Sequence, residues 1–266
     1  MVTGDPAALA EELFALRFEL QALADAVMAG TSERWVDGFV PWATTVAHRQ
    51  RYTYAATMAA NRRVLDIACG AGCGSHILAS AGAASVLGVD VDPSAIRYAR
   101  HRYAHPGCVF AVADAEAWRP EGEFDLVVSF ETVEHLRRPE SLLHSIARAL
   151  APTGTALVST PLAAKDGSRP TNPYHLHEWT EPGFTELLAK AGLVVQRTWY
   201  QGVRQAAGVV PRLRRWLRRL GRPRTPASVH QLTGELQDSL APYRSAGLQP
   251  KFQLHLVART PPRPGD

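Results

Sequence analysis

Two spacings of apolar residues divide this chain. Over residues 7–28, Leu13, Leu16, Phe18, Leu20 and Leu23 fall among acids at roughly helical period, which predicts an amphipathic helix ended by Gly30. Residues 30–60 are aromatic and polar without a strand period, and read as a cap with a short helix near 46–60. From Arg63 onward, short β-branched runs alternate with helix-length segments. Strands are predicted at 64–68, 85–90, 109–113, 124–130 and 155–160, with helices near 75–82, 93–104 and 139–150. Strand, helix, strand at this spacing means crossover connections and a parallel sheet covered on both faces, a doubly wound α/β fold. Beyond it come a helix at 182–191 stopped by Gly192, a sixth strand at 193–200 and a last, alternating strand at 252–258. This gives three parts: a helical cap (1–60), a core (61–201 and 246–266) and an inserted helical lid (202–245).

Composition adjusts this picture little. A chain of 266 residues, 46% apolar and 20% charged, is one globular unit that needs no disulfide or metal to hold together. Three cysteines, Cys69, Cys73 and Cys108, make an odd number without zinc spacing. With no signal-peptide pattern either, a reducing cytoplasm is expected. Residues 67–89 carry no formal charge, but Gly70, Gly72, Gly74, Gly82 and Gly88 cut them into strand-sized runs, so they are not a membrane span.

Charge is more informative. The net value is +4, yet residues 212–224 hold seven arginines and no acid, so the remainder of the chain is net acidic. Pro211 and Gly221 bracket a basic helix with Leu213, Trp216, Leu217 and Leu220 on one stripe. It suits an anionic membrane surface, RNA or a phosphorylated acceptor, or it packs as a lid with its arginines wet or paired to acids of the N-terminal helix. One short helix without an interleaved binding motif is a poor nucleic-acid signature, and no nucleic-acid partner is expected.

Candidate chemistry starts at the first strand. Asp66 leads into Cys69-Gly70-Ala71-Gly72-Cys73-Gly74, a turn whose glycines let backbone N–H groups approach a ligand. Asp90 closes the second strand where an acid can grip both hydroxyls of a ribose. Asp66 before the loop suits an ammonium better than a pyrophosphate, and Asp114 after strand three offers an acceptor for an adenine amine. An ammonium, a ribose and an adenine together describe S-adenosylmethionine better than a nicotinamide dinucleotide. Asp92 is read as the cap of the helix beginning at Pro93.

The segments VLDIACGAGCG, VLGVDVDPSAI, ADAEAW, FDLVVSFETVEHL and LLHSIARALAPTGTALVSTP resemble the successive motifs of class I S-adenosylmethionine-dependent methyltransferases, over about residues 61–200. The resemblance implies a Rossmann-like seven-stranded sheet with the last strand antiparallel. It also implies cofactor contacts at Asp66, Gly70, Gly72, Asp90, Val91, Asp114, Ala115 and Phe130.

Glu131-Thr132-Val133-Glu134-His135 follows strand four at the rim where open α/β sheets bind ligands. Two carboxylates and an imidazole at these spacings suit a divalent cation such as magnesium. Together with the segment Asn172-Pro173-Tyr174-His175-Leu176-His177-Glu178-Trp179-Thr180, this turn resembles the metal cluster of small-RNA 2′-O-methyltransferases and, more loosely, ubiquinone-pathway O-methyltransferases. Carried over, the ligands are Glu131, Glu134, His135 and His175. The alternative without metal has Glu131 at the cofactor edge, Glu134 capping or pairing with an arginine such as Arg137, and His135 or His177 as general base.

Either way, alignment and desolvation carry most of a methyl transfer, so no cysteine is given a chemical role. The aromatic and basic cluster Trp35, Trp42, His48, Arg49, Arg51, Tyr52 and Tyr54 suits a sugar or planar ring, or equally a buried cap. The expected activity is methylation of a hydroxyl on a small molecule such as a glycosylated or phenolic metabolite. An amine acceptor, an RNA 2′-hydroxyl and a non-catalytic cofactor-binding module stay open.

Overall fold

The computed structural model describes residues 5–29, 34–170, 172–203, 235–246 and 248–259. Seven strands form one sheet: β1 (Arg63–Ile67), β2 (Ser85–Asp90), β3 (Cys108–Val112), β4 (Phe124–Phe130), β5 (Leu150–Pro161), β6 (Leu193–Val203) and β7 (Pro250–Arg259). Their order is β3-β2-β1-β4-β5-β7-β6. The first five are parallel, and β7 runs antiparallel between β5 and β6. The sheet reverses direction of growth between β1 and β4, the switch point at which such folds open a crevice beyond the strand ends.

Both faces are covered, which is why the central strands read as continuous apolar runs. Leu65, Ile67, Val127 and Val158 meet Leu142, Leu143 and Ile146 of helix α5 (Pro139–Ala149) and Phe184 and Leu188 of α6 (Glu181–Lys190). On the other face, Val64, Leu126, Val128 and Leu157 meet Tyr52 and Ala55 of α2 (Trp42–Ala56) and Leu78 and Ala79 of α3 (Cys73–Ser80). Local chemistry starts and stops these helices. Asp92 accepts from Ser94 N–H at 2.8 Å ahead of α4 (Pro93–Arg102), the capping role expected of it. Thr180 caps α6 through Gly183 N–H, and Gly192, with φ of 79°, turns the chain after it.

Two element boundaries differ from expectation. Helix α2 starts at Trp42, and in place of its last turn residues 57–59 form turns and Ala60 bridges to Ala83. Strand β5 begins at Leu150, directly after α5. Leu150 pairs with Phe124 before the register shifts to Thr155 opposite Leu126, so Pro152-Thr153-Gly154 lies within an irregular stretch of the strand and does not form a separate loop.

Helix α1 (Pro6–Ala29) lies on α4. Arg97 pairs with Glu11, Arg102 with Glu12 and Glu19, and His101 meets Glu12, while Phe18 stacks on Tyr98. Of the acids offered to the inserted arginines, Glu11, Glu12 and Glu19 therefore already have partners on α4, while Asp25 accepts from Gln21 within α1. The basic helix at 211–221 lies outside the described residues, as does most of the inserted lid. Of the 202–245 span, Gly202 and Val203 extend β6, Gln237 bridges to Tyr200, and Tyr243 of α7 (Ala241–Ser245) is buried. No helix among the described residues is long and apolar enough to cross a membrane.

Candidate active site

One cavity of about 660 Å³ opens over the carboxyl ends of β1, β2, β3 and β4. Its size and position suit a nucleoside-sized ligand. Its wall includes Ala68, Cys69, Gly70, Asp90, Val91, Asp114, Ala115, Phe130, Glu131 and His135, and its roof comes from α1 and the following segment.

The loop from β1 to α3 turns through three left-handed residues, Ala68, Gly70 and Gly72, with φ of 60°, 56° and 88°. These glycines do different work. A Cβ on Gly70 would meet only Arg34 Cγ at 3.7 Å, so its backbone faces open space, whereas a Cβ on Gly72 would lie 2.5 Å from Ala99 Cβ. Gly72 is therefore a packing residue beside α4 and does not line the cavity. The Gly70 N–H donates to Asp90 Oδ2 at 2.9 Å, and the Asp92 N–H donates to Asp90 Oδ1 at 3.0 Å. Each oxygen keeps a lone pair beyond these bonds. Asp114 similarly accepts from Glu116 N–H at 2.9 Å.

Asp66 does not line the cavity. It is fully buried beneath the loop, where Ser75 Oγ donates to it at 2.6 Å and Tyr52 Oη at 3.0 Å. Burial pushes its carboxyl up to about 7, against the lowering effect of those two hydroxyl donors, and the nearby Asp90 charge raises it further. Tyr52 does reach the cavity, where Trp35 stacks on both its ring and that of His48. The aromatic cluster read from sequence thus divides. Trp35, His48 and Tyr52 face the cavity, Trp42 is exposed, Arg49 pairs with Asp37, and Tyr54 sits against Trp199.

The turn after β4 separates its two acids. Glu131, with a left-handed φ of 54°, points to Ser159 Oγ at 2.7 Å and the buried Arg51 guanidinium at 3.2 Å. Glu134 is wholly buried in the short 3₁₀ turn Val133–His135, where Oε2 accepts from Thr160 Oγ1 at 3.1 Å and Oε1 has no hydrogen-bond partner. Burial, and then the Glu131 charge, push the Glu134 carboxyl well above the usual range. The Glu134 carbonyl accepts from Leu176 and His177 N–H, which ties the loop after β5 to this turn. His135 Nδ1 lies 3.0 Å from the Tyr174 carbonyl, so its neutral form carries the proton there and turns Nε2 toward Glu134 Oε1, 4.0 Å away. The His175 ring stands edge-on to His135 at 4.9 Å, with Nδ1 at 2.9 Å from Glu178 and Nε2 at 2.8 Å from Asn172.

Glu134, His135 and His175 place ligand atoms within 4.8 Å of one another. An unsatisfied buried carboxylate oxygen beside two imidazoles fits a divalent cation. Glu131, the fourth residue of the expected set, is instead directed at Arg51 and Ser159. His177 stacks on Trp179 and does not line the cavity. Sequence gave no signal for the pairings of Tyr52 with Asp66, Arg51 with Glu131 or Thr160 with Glu134, because each joins segments far apart in the chain. The cysteines are free, and burial pushes the thiols up, to about 11 for Cys73 and about 12 for Cys108.

The fold and cavity define a doubly wound α/β protein with a cavity at its switch point. Residues 64–154, about a third of the chain and spanning β1 to the start of β5, match the family described as a methyltransferase domain. A probable S-adenosylmethionine-dependent methyltransferase of Mycolicibacterium smegmatis is 34% identical over 165 residues, covering 61% of this chain and 63% of the relative. A ubiquinone biosynthesis O-methyltransferase of Methylococcus capsulatus is 34% identical over 116 residues, 42% of this chain and 48% of that protein. The chain thus spans less than two thirds of these relatives' length. Among solved structures, the [4+2]-cyclase SpnF superposes with a TM-score of 0.59 at 17% identity, covering 94% of this chain and 96% of that one. That likeness is one of fold alone.

Proposed function

We propose that this chain is an S-adenosylmethionine-dependent methyltransferase whose acceptor is a hydroxyl of a small molecule. The observation that carries the reading is one cavity at the switch point lined by the glycine-loop backbone, Asp90, Asp114 and Phe130 and, on the same wall, Glu131 and His135. The methyltransferase-domain match over β1 to β5 and the O-methyltransferase among the relatives support it. When bound, S-adenosylmethionine supplies a methyl group already activated by sulfonium charge.

The protein's own part is alignment and exclusion of water. The remaining lone pairs of Asp90 are suited to the ribose hydroxyls, Asp114 and the backbone at Ala115 to the adenine edge, and the open backbone at Gly70 to the amino-acid end. Trp35, His48, Tyr52 and Tyr174 supply aromatic walls for a planar or glycosidic acceptor. His135, held by the Tyr174 carbonyl, is positioned to take the acceptor proton at Nε2. In the alternative with a divalent cation held by Glu134, His135 and His175, that Nε2 is a ligand and not a base, and the cation would supply the Lewis acidity that lowers the pKa of the acceptor hydroxyl.

Titration calorimetry with the donor and its demethylated product, followed by transfer of labelled methyl to phenols, glycosides, amines and RNA, tests this. Heat with both nucleosides and label on hydroxyl acceptors is expected. Tight uptake of a nicotinamide dinucleotide with no heat from the donor would overturn the whole reading. Label appearing only on amines or RNA would overturn the acceptor class.

A further inference from the structure

Helix α1 has two apolar faces. One carries Phe14, Ala15, Phe18 and Ala22 and lies against Tyr98 of α4 and the segment after α1. The other carries Leu9, Leu13, Leu16, Leu20, Leu23 and Val27, which are between 43% and 72% exposed. Their intervals are four, three, four, three and four, so Leu9, Leu16 and Leu23 form one seven-residue series and Leu13, Leu20 and Val27 the other. A sustained 3.5-residue repeat is the seam by which two long helices pair, not the broader stripe of a helix lying on a globular core.

We infer that α1 pairs with α1 of a second copy of this chain, in parallel, as a short two-stranded coiled coil. Three observations select this occupant. From Leu9 to Val27 the seam runs about 27 Å, whereas the inserted stripe Leu213 to Leu220 would cover about 10 Å of it as a helix. Six half-exposed aliphatic side chains from each copy bury on the order of 1,200 Å² in total, near the lower bound for a specific interface. The flanks match as well. With Leu13, Leu20 and Val27 at the a positions, Glu12 is a g residue and Arg17 the e residue five positions on, so a parallel pair sets each Glu12, whose Oε2 already meets His101 and Arg102 of its own copy, near the other copy's Arg17. Glu12 and Glu19 border the seam and Arg17 is its one bordering cation, the opposite of the basic margin that an anionic bilayer surface attracts.

Pairing has a consequence for the cavity. Phe18, Gln21, Ala22, Asp25 and Met28 of α1 line its roof. A helix braced from behind by its twin keeps that roof in place, whatever chemistry the cavity performs.

Sedimentation velocity of the full chain over roughly 1 to 100 μM tests the inference. The wild type is expected to reach twice the protomer mass. The double variant Leu16→Glu/Leu20→Glu is expected to stay at protomer mass, with a melting midpoint equal to that of wild type at concentrations below its dimer Kd and its own Kd raised roughly a hundredfold or more. Arg17→Glu should weaken pairing severalfold; unchanged or tighter pairing overturns the parallel register. A wild type that stays monomeric at every concentration overturns the inference. So does a monomeric wild type whose double variant melts several degrees lower, since the stripe would then be covered within one chain. Binding of the monomer to phosphatidylserine vesicles through these leucines overturns it too.

Discussion

The rim of β1, β2 and β3 and the rim of β4 and β5 are built differently. At the first, the carboxylates are tied to neighbouring backbone: Asp90 holds the N–H groups of Gly70 and Asp92, and Asp114 holds that of Glu116. At the second, the polar groups meet one another across the fold. Arg51 from α2 reaches Glu131, Thr160 from β5 reaches Glu134, His175 stands against His135, and one Glu134 oxygen has no hydrogen-bond partner. A buried polar atom without a partner costs about 1–3 kcal/mol. The first rim is complete before anything binds, while the second carries a cost that a bound cation or a proton on Glu134 would offset.

This contrast can be broken from either side. The largest effect is expected at the second rim. Glu134→Ala should lower kcat at least about a hundredfold while calorimetry finds donor affinity within about twofold, and chelation should reproduce the loss. Full turnover in chelator would remove the cation from the mechanism. At the first rim, Asp90→Ala leaves two backbone N–H groups unpaired and removes the acceptor facing the ribose. Donor Kd should rise by roughly 30-fold, corresponding to about 2 kcal/mol, and an unchanged Kd would dissociate Asp90 from the cofactor.

The smallest effect concerns Asp66, beneath the loop. Its folded carboxyl titrates near 7, above the ordinary 3.8, so the folded state holds this proton more tightly than the unfolded chain does. That contribution is full below the ordinary value and is lost as pH rises through about 7. From pH 8 to pH 6 the ligand-free wild type should therefore gain about 1.4 kcal/mol relative to Asp66→Asn. Parallel pH curves for the two proteins in denaturant titrations would show that Asp66 is ionised in its pocket.

The two rims also differ in how legible they were. The glycine turn, Asp90 at the end of β2 and Asp92 ahead of Pro93 depend on residues close in sequence, and their positions follow from strand period and capping chemistry. The acid and histidine turn could be located in the same way, but not resolved. Sequence spacing allowed Glu131 and Glu134 to converge. The left-handed backbone at Glu131 and the Arg51 charge separate them, and neither has a local signature. His175 and His177 alternate in sequence, and only the fold decided that His175 faces His135 while His177 stacks on Trp179.

What the sequence by itself determined is the succession of strands and helices, the parallel part of the sheet and the turn that opens the cavity, while the antiparallel last strand was implied by the family resemblance alone. Period, propensity and capping act over a few residues, so they can be read along the chain. Only the tertiary structure decided that Asp66 is buried under Tyr52 and Ser75, that Glu11, Glu12 and Glu19 of α1 meet basic residues of α4, and that a second leucine face of α1 is left outward. Those outcomes depend on which distant segments share the limited space around one sheet, and long-range packing leaves no period in the sequence.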